Sequence, residues 1–162
     1  MTIRDARDGD LPAMLEIYND LIATTTAIYR DEPATIEERR SFFEARRKAG
    51  YPVIVAEDDS GIIGYASFGD FRAWPGYRFT VEHSVYARQD RRGAGVGGAL
   101  MRELIARARA MGKHVMIGGV DADNTASLRF HERLGFEKVA HFKQVGFKFD
   151  RWLDLTFLQL TL

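Results

Sequence analysis

Apolar positions along the chain fall into two rhythms, and their alternation predicts the order of elements. Leu11, Met14, Leu15, Tyr18, Leu21 and Ile22 recur at intervals of three and four, which marks one face of a helix. Asp8 or Asp10 stands where its N-cap is expected. Thr35-Ile36-Glu37-Glu38 has the make-up of a capping box, so a second helix is predicted from Thr35 to a stop at Gly50. Met1–Ala6 predicts a short strand. Pro52–Glu57 and Ile62–Phe71 are compact apolar runs joined by Asp58-Asp59-Ser60-Gly61, a hairpin signal. Arg78–Ala87 is a further strand. From Gly95 the rhythm turns helical again through Val96, Leu100, Leu104, Ala108 and Met111, with Gly112 as the stop. Val115–Val120 predicts a strand, Asn124–Leu134 a short helix ended by Gly135, and two strands close the chain. The last, Leu153–Leu162, is apolar on both faces, which predicts a buried strand or one covered by a partner chain. Paired strands followed by strand–helix–strand–helix–strand give an α+β chain with a mixed central sheet.

Composition narrows the function classes. A length of 162 residues, without repeat or linker, suits one domain spanning 1–162. A hydrophobic content of 46% supports a packed core rather than disorder. Lys plus Arg balances Asp plus Glu at 23 each, so the overall field favours neither nucleic acid nor an anionic membrane. Anion binding must then come from a local cluster. The absence of Cys excludes disulfides, a thiol nucleophile and thiolate metal sites. The four histidines, His83, His114, His131 and His141, lack metal-ligand spacing, and no metal is expected. Met1-Thr2-Ile3-Arg4-Asp5 carries no apolar signal segment, and no run reaches membrane-spanning length, so a cytoplasmic location is expected.

The most informative stretch is Val81-Glu82-His83-Ser84-Val85-Tyr86-Ala87 followed by Arg88-Gln89-Asp90-Arg91-Arg92-Gly93-Ala94-Gly95-Val96-Gly97-Gly98. Glycines ahead of a helix let the backbone approach a ligand and aim free N–H groups at an anion, which fits a pyrophosphate. Two ligand classes compete. Gly93, Gly95 and Gly98 match the dinucleotide fingerprint, with Asp121 beyond the next strand. Against that reading, Arg88–Arg92 separate strand from glycines, and the strand before them belongs to an antiparallel meander. The alternative is Arg-x-x-Gly-x-Gly, supplied by Arg92 to Gly97.

That second motif resembles the pyrophosphate loop of the GNAT superfamily of N-acetyltransferases. Asn124-Thr125-Ala126-Ser127 and His131-Glu132-Arg133-Leu134-Gly135-Phe136 are similar to the superfamily's other coenzyme motif, in the same order. The resemblance implies the acyl-CoA N-acyltransferase fold, a mostly antiparallel sheet with a V-shaped split and flanking helices, and acetyl-CoA as cosubstrate. It implies that Val85, Tyr86 and Ala87 pair with the pantetheine arm like an added strand. Arg92, Gly93, Ala94, Gly95, Val96, Gly97 and Gly98 would hold the pyrophosphate, with Arg91 an alternative source of charge, and Asn124 would bond the pantetheine or cap its helix.

Asp5-Ala6, Ile17-Tyr18-Asn19-Asp20, Thr25-Thr26-Ala27, Gly64-Tyr65-Ala66, Thr80–Tyr86, Gly146-Phe147-Lys148-Phe149 and Arg151-Trp152-Leu153-Asp154 extend the likeness over almost the whole chain. They are similar to bacterial phosphinothricin acetyltransferases, and most to members acting on methionine sulfone and methionine sulfoximine. This implies a small amino-acid substrate, a homodimer and a detoxifying role conferring resistance.

Acetyl transfer needs a neutral amine, so a base must remove a proton. Glu82 is the first candidate, as base or as ammonium binder. His83 joins it if a bulge turns both residues to one cleft, and is otherwise a core histidine. Ser84 shares the Glu82 face by strand alternation. Freed N–H groups near Val85 and Tyr86 are the expected oxyanion donors. His131 stands where the superfamily often has a Tyr that meets the departing thiolate; it is that acid or a packing residue. Without Cys, direct attack in a ternary complex is expected. Substrate contacts carried over by resemblance are Arg72, Ala73, Trp74, Glu82, His83 and Ser84, with Arg72 and Arg78 proposed as a carboxylate clamp. Three rivals remain: a peptide or protein acetyltransferase, a non-catalytic acetyl-CoA-binding module, and a dinucleotide oxidoreductase.

Overall fold

The structure, a computed structural model, describes residues 1–162. Seven strands form one sheet: β1 (Thr2–Asp5), β2 (Val53–Asp58), β3 (Gly61–Asp70), β4 (Thr80–Ala87), β5 (Val115–Asp121), β6 (Glu137–Lys148) and β7 (Arg151–Thr161). Four helices cover it: α1 (Leu11–Thr24), α2 (Ile36–Lys48), α3 (Val96–Ala110) and α4 (Thr125–Arg133). The spatial order is β1-β2-β3-β4-β5-β7-β6. All neighbours are antiparallel except β4 and β5. The elements predicted from apolar rhythm are all present, with ends shifted by a few residues.

Strand alternation gives the sheet two apolar faces. Ile54, Ala56, Phe68 and Val81 point to one side, where Leu100, Met101 and Leu104 of α3 and Leu128 of α4 pack on them. Val53, Val55 and Tyr65 point to the other, against Leu11, Met14, Ile17 and Leu21 of α1 and Phe43 of α2. Each fully buried aliphatic side chain on α3 contributes roughly 1.5–3 kcal/mol. That burial fixes the start of α3, and the glycine turn before it, to the sheet.

The feature that makes a site is a failure of pairing. β4 and β5 are in register only over Thr80–Val115, Val81–Met116 and Glu82–Ile117. Beyond that point the strands diverge, although β4 continues to Ala87 and β5 to Asp121. This is the V-shaped split expected from the resemblance. The unit β4–α3–β5 is parallel, which corrects the argument against a dinucleotide site that treated β4 as wholly antiparallel.

Local signals behave unevenly. Thr35 and Glu38 form the predicted capping box, with both reciprocal bonds at 3.2 Å. Asp8–Asp10 instead makes a short 3-10 turn, and Asp10 binds Arg4 and the Arg7 N–H rather than capping α1. β7 is flanked by β5 and β6, with Leu153, Thr156 and Leu158 buried and Leu155 and Phe157 half-buried. A tie absent from the sequence reading comes from Lys148, 1% exposed on β6. Its ammonium donates to the carbonyls of Ile22, Thr25 and Ile28 at 2.6, 2.7 and 2.9 Å, holding the end of α1 and the segment after it.

Candidate active site

The glycine turn is built to present backbone donors. Gly93 and Gly95 both have φ of +81°, left-handed geometry that side-chain-bearing residues adopt at a cost. Gly95 is the N-cap of α3 and offers no side chain to the helix start. The first intrahelical bond there is Ala99 N–H to the Gly95 carbonyl, so the N–H groups of Val96, Gly97 and Gly98 have no backbone acceptor. Ala94 is different: its N–H donates to the Arg91 carbonyl at 3.2 Å and is already committed. Free amides at a helix start, with the positive end of its dipole, suit a diphosphate.

These groups open on a cleft of about 870 Å³ lined by Val85, Tyr86, Ala87, Arg92, Gly93, Gly95, Val96, Gly97, Gly98 and Asn124, with Thr25, Thr26 and Asp121 opposite. Arg92 is exposed and makes no ion pair, whereas Arg91 pairs with Asp58 at 3.3 Å and Ser60 at 3.0 Å. Asn124 caps α4: its side-chain oxygen accepts the Ser127 N–H at 3.0 Å, leaving its amide NH₂ as the remaining donor. Thr26 donates its hydroxyl to Asp121, joining the segment held by Lys148 to the end of β5.

Hydrogen-bond direction along β4 explains which groups are free. Its register with β3 is unbroken from Val81 to Ala87, so the expected bulge is absent. The Arg88 N–H donates to the Ile63 carbonyl, and the Phe71 N–H to that of Thr80. In an antiparallel ladder the alternation then turns Glu82, Ser84 and Tyr86 backbone groups toward β3, and those of Val85 and Ala87 away from it into the split. On β5, bonds from Leu162 to His114 and from Ala122 to Asp154 likewise leave Gly119 and Asp121 facing the split. Val85 is thus freed by strand divergence rather than by a bulge. The Tyr86 N–H is committed to β3, which corrects its assignment as an oxyanion donor.

Glu82 sits at the apex, the last β4 residue paired with β5. Its carboxylate lies on the α1–α2 face, half-buried, and makes no hydrogen bond or ion pair. Burial raises its pKa, while Arg46 and Arg72 pull the other way. Ser84 shares this face. His83 points to the opposite side and is buried against Phe136 and His131. Burial, then the neighbouring His131, pushes its pKa down to about 3.

The two histidines have a readable proton arrangement. His131 Nδ1 lies 2.7 Å from the Ser127 carbonyl, so Nδ1 carries its proton. His131 Nε2 is then an acceptor, and His83 Nε2, 3.1 Å away, is the donor. His83 Nδ1 is left as a buried lone pair without a partner. This pair belongs to the packing between α4 and the sheet, and the absence of a bulge separates His83 from Glu82.

The loop carrying Arg72, Ala73 and Trp74 is exposed; Trp74 is 75% accessible. The Arg72 guanidinium lies 5.2 Å from the Phe71 ring centre. Arg78 turns back on its own loop, donating to the Pro75 carbonyl at 3.1 Å, so the two-arginine clamp is not assembled. Sequence reasoning overlooked Arg46. It projects from α2 over Gly69, the residue opposite Glu82 in the β3–β4 register. An amphipathic helix with several arginines gives no sign of which one turns inward.

The chain matches the model of the Acetyltransferase (GNAT) family over residues 14–136. It belongs to that family, which sets aside the dinucleotide oxidoreductase. It is 52% identical over 162 residues to the L-methionine sulfoximine/L-methionine sulfone acetyltransferase of Pseudomonas paraeruginosa, covering 99% of this chain and 94% of the relative. A phosphinothricin acetyltransferase from Sinorhizobium meliloti, solved in complex with acetyl-CoA, superposes with a TM-score of 0.96 at 40% identity, covering 99% and 88% of the two chains. A ribosomal-protein-alanine N-acetyltransferase from Brucella melitensis superposes with a TM-score of 0.98 at 46% identity, covering 100% of both.

Proposed function

We propose that this chain transfers the acetyl group of acetyl-CoA to the α-amine of a small amino acid with an oxygen-rich, tetrahedral side-chain group. Methionine sulfone, methionine sulfoximine and phosphinothricin are the proposed substrates. The observation that carries the reading is an unpaired, half-buried carboxylate, Glu82, at the apex of the split, facing arginines on the acceptor side. From Glu82 to the mouth of the split at Ala87 the strand spans about 17 Å, comparable to an extended pantetheine arm reaching from a diphosphate at Gly93–Gly98.

Acetyl-CoA supplies an acetyl thioester. Glu82 accepts a proton from the substrate ammonium, directly or through a water. The exposed nitrogen lone pair forms the C–N bond as the C–S bond breaks, sulfur leaves with that electron pair, and the second proton lost by the nitrogen passes to the sulfur to give the free thiol. The Val85 N–H donates to the carbonyl oxygen as negative charge develops there. Burial brings Glu82 closer to neutrality, which suits a base working on an amine.

We read residues 1–162 as one cytoplasmic transferase domain with a detoxifying role. Phe142, Val145, Phe147, Phe149 and Trp152, exposed on the β6–β7 hairpin, support a homodimer in which a second copy covers them. The test of substrate class is thiol release from acetyl-CoA across the three proposed substrates, glutamate, lysine and an alanine-ended peptide. Turnover confined to the sulfone, sulfoximine and phosphinothricin supports the reading. Preference for the peptide would replace it with ribosomal-protein acetylation.

A further inference from the structure

The acceptor side contains a cation with no partner in the chain. Arg46 donates no hydrogen bond and joins no ion pair, and its Nε is buried without an acceptor. Arg72 also forms no hydrogen bond or ion pair, but it stands exposed on its loop. Arg39 is buried with its own Nε likewise lacking an acceptor, but its guanidinium is enclosed by three rings, Tyr18 at 3.8 Å, Phe42 at 4.5 Å and Phe43 at 5.0 Å from their centres. Arg78 is held by Pro75. Arg46 lies over a single ring, Phe42, 4.7 Å from its centre.

Its position is prepared by the residue beneath it. A Cβ on Gly69 would fall 0.9 Å from Arg46 Nη1 and 2.2 Å from Cζ, so the guanidinium occupies the space that any other residue would fill. Gly69 pairs with Glu82 in the β3–β4 register, and both side-chain directions are toward α2. Burial pushes the Arg46 pKa down, with Asp70 and Glu82 opposing, yet neither carboxylate closes an ion pair with it. Asp70 is engaged by the Tyr51 hydroxyl.

We propose that Arg46 is the receptor for the substrate's α-carboxylate, forming with Glu82 an unpaired cation–carboxylate couple that accepts the two charged ends of a zwitterionic amino acid. Glu82 faces the ammonium and Arg46 the carboxylate, which fixes the amine toward the apex of the split. A guanidinium suits this role because its forked donors match a carboxylate in two-pronged fashion. The inference rests on the amino-acid reading given above and adds the residue that would enforce it.

The test compares the best amino-acid substrate of the panel with the same molecule lacking its carboxylate; for methionine sulfone this is methylsulfonylpropylamine. In Arg46→Gln, KM for the amino acid is expected to rise about 100-fold. KM for the amine should stay within about 3-fold of wild type, with acetyl-CoA affinity unchanged by calorimetry. Arg46→Lys should recover about 10-fold of the loss, keeping the charge without the fork. Gly69→Ala gives a second route: it retains the charge but displaces the guanidinium, and it should reproduce the amino-acid-selective defect even if Arg46→Gln does not fold. An unchanged amino-acid KM, or equal losses on both substrates, overturns the assignment while leaving the amino-acid reading intact. A wild-type enzyme inactive on every amino acid removes the reading and this inference together.

Discussion

The two sides of the split are made of different material. The proposed coenzyme side is backbone: amides of a left-handed glycine turn, a helix start, and strand edges left unpaired by divergence. The proposed acceptor side is side chains: Glu82 from β4, Arg46 from α2 and Arg72 from a loop, drawn from separate parts of the sequence. A backbone site depends on conformation more than on side-chain identity. A side-chain site can change its acceptor by single substitutions while the coenzyme cleft stays the same.

That contrast can be broken most sharply at Glu82. Glu82→Gln is expected to lower kcat about 100- to 1000-fold with acetyl-CoA affinity unchanged. In wild type, kcat/KM should fall as pH drops through the raised pKa of Glu82, because only the ionised carboxylate can take the proton; the variant should lose that limb. Near-normal turnover in steady-state assays would remove the base assignment. On the backbone side, Gly95→Val forces a branched side chain into φ of +81° and should weaken acetyl-CoA binding about 10- to 100-fold by calorimetry. If the diphosphate sits at this turn, amino-acid KM stays put; wild-type coenzyme affinity would mean it sits elsewhere. The smallest effect is expected at the exposed loop, where Arg72→Ala should raise amino-acid KM only about 2- to 5-fold. A loss rivalling that of Arg46→Gln would move the centre of acceptor recognition outward.

How much of this was legible in the sequence follows the same division. Apolar rhythm located α1, α3 and most strands, because burial on one face imposes a period that local residues must keep, while α2 was marked by its capping box and β6 was expected without bounds. The glycine turn was legible because a backbone site compresses its requirement into adjacent positions. The strand divergence after Glu82 was available only through family resemblance, since a lost pairing leaves no mark on either strand alone. The expected bulge in β4 was absent, and His83 lies behind the sheet beside His131 instead. Arg46 was hidden among the polar residues of α2, where Arg39, Arg40, Arg46 and Arg47 look alike until the helix is docked. Lys148 was similarly silent: a buried ammonium spent on three carbonyls is a tertiary event with no local signal.

The short register between β4 and β5 has a mechanical corollary. Two half-sheets share only three paired positions, so a ligand lying between Val85 and Gly119 would serve as an inserted rung that stitches them together. Amide exchange at Val85, Ala87 and Gly119 should slow on coenzyme addition, and a hundredfold excess over Kd would add about 2.7 kcal/mol of resistance to unfolding. The cell's supply of activated acetyl groups would then set how long each molecule survives proteolysis as well as how fast it works.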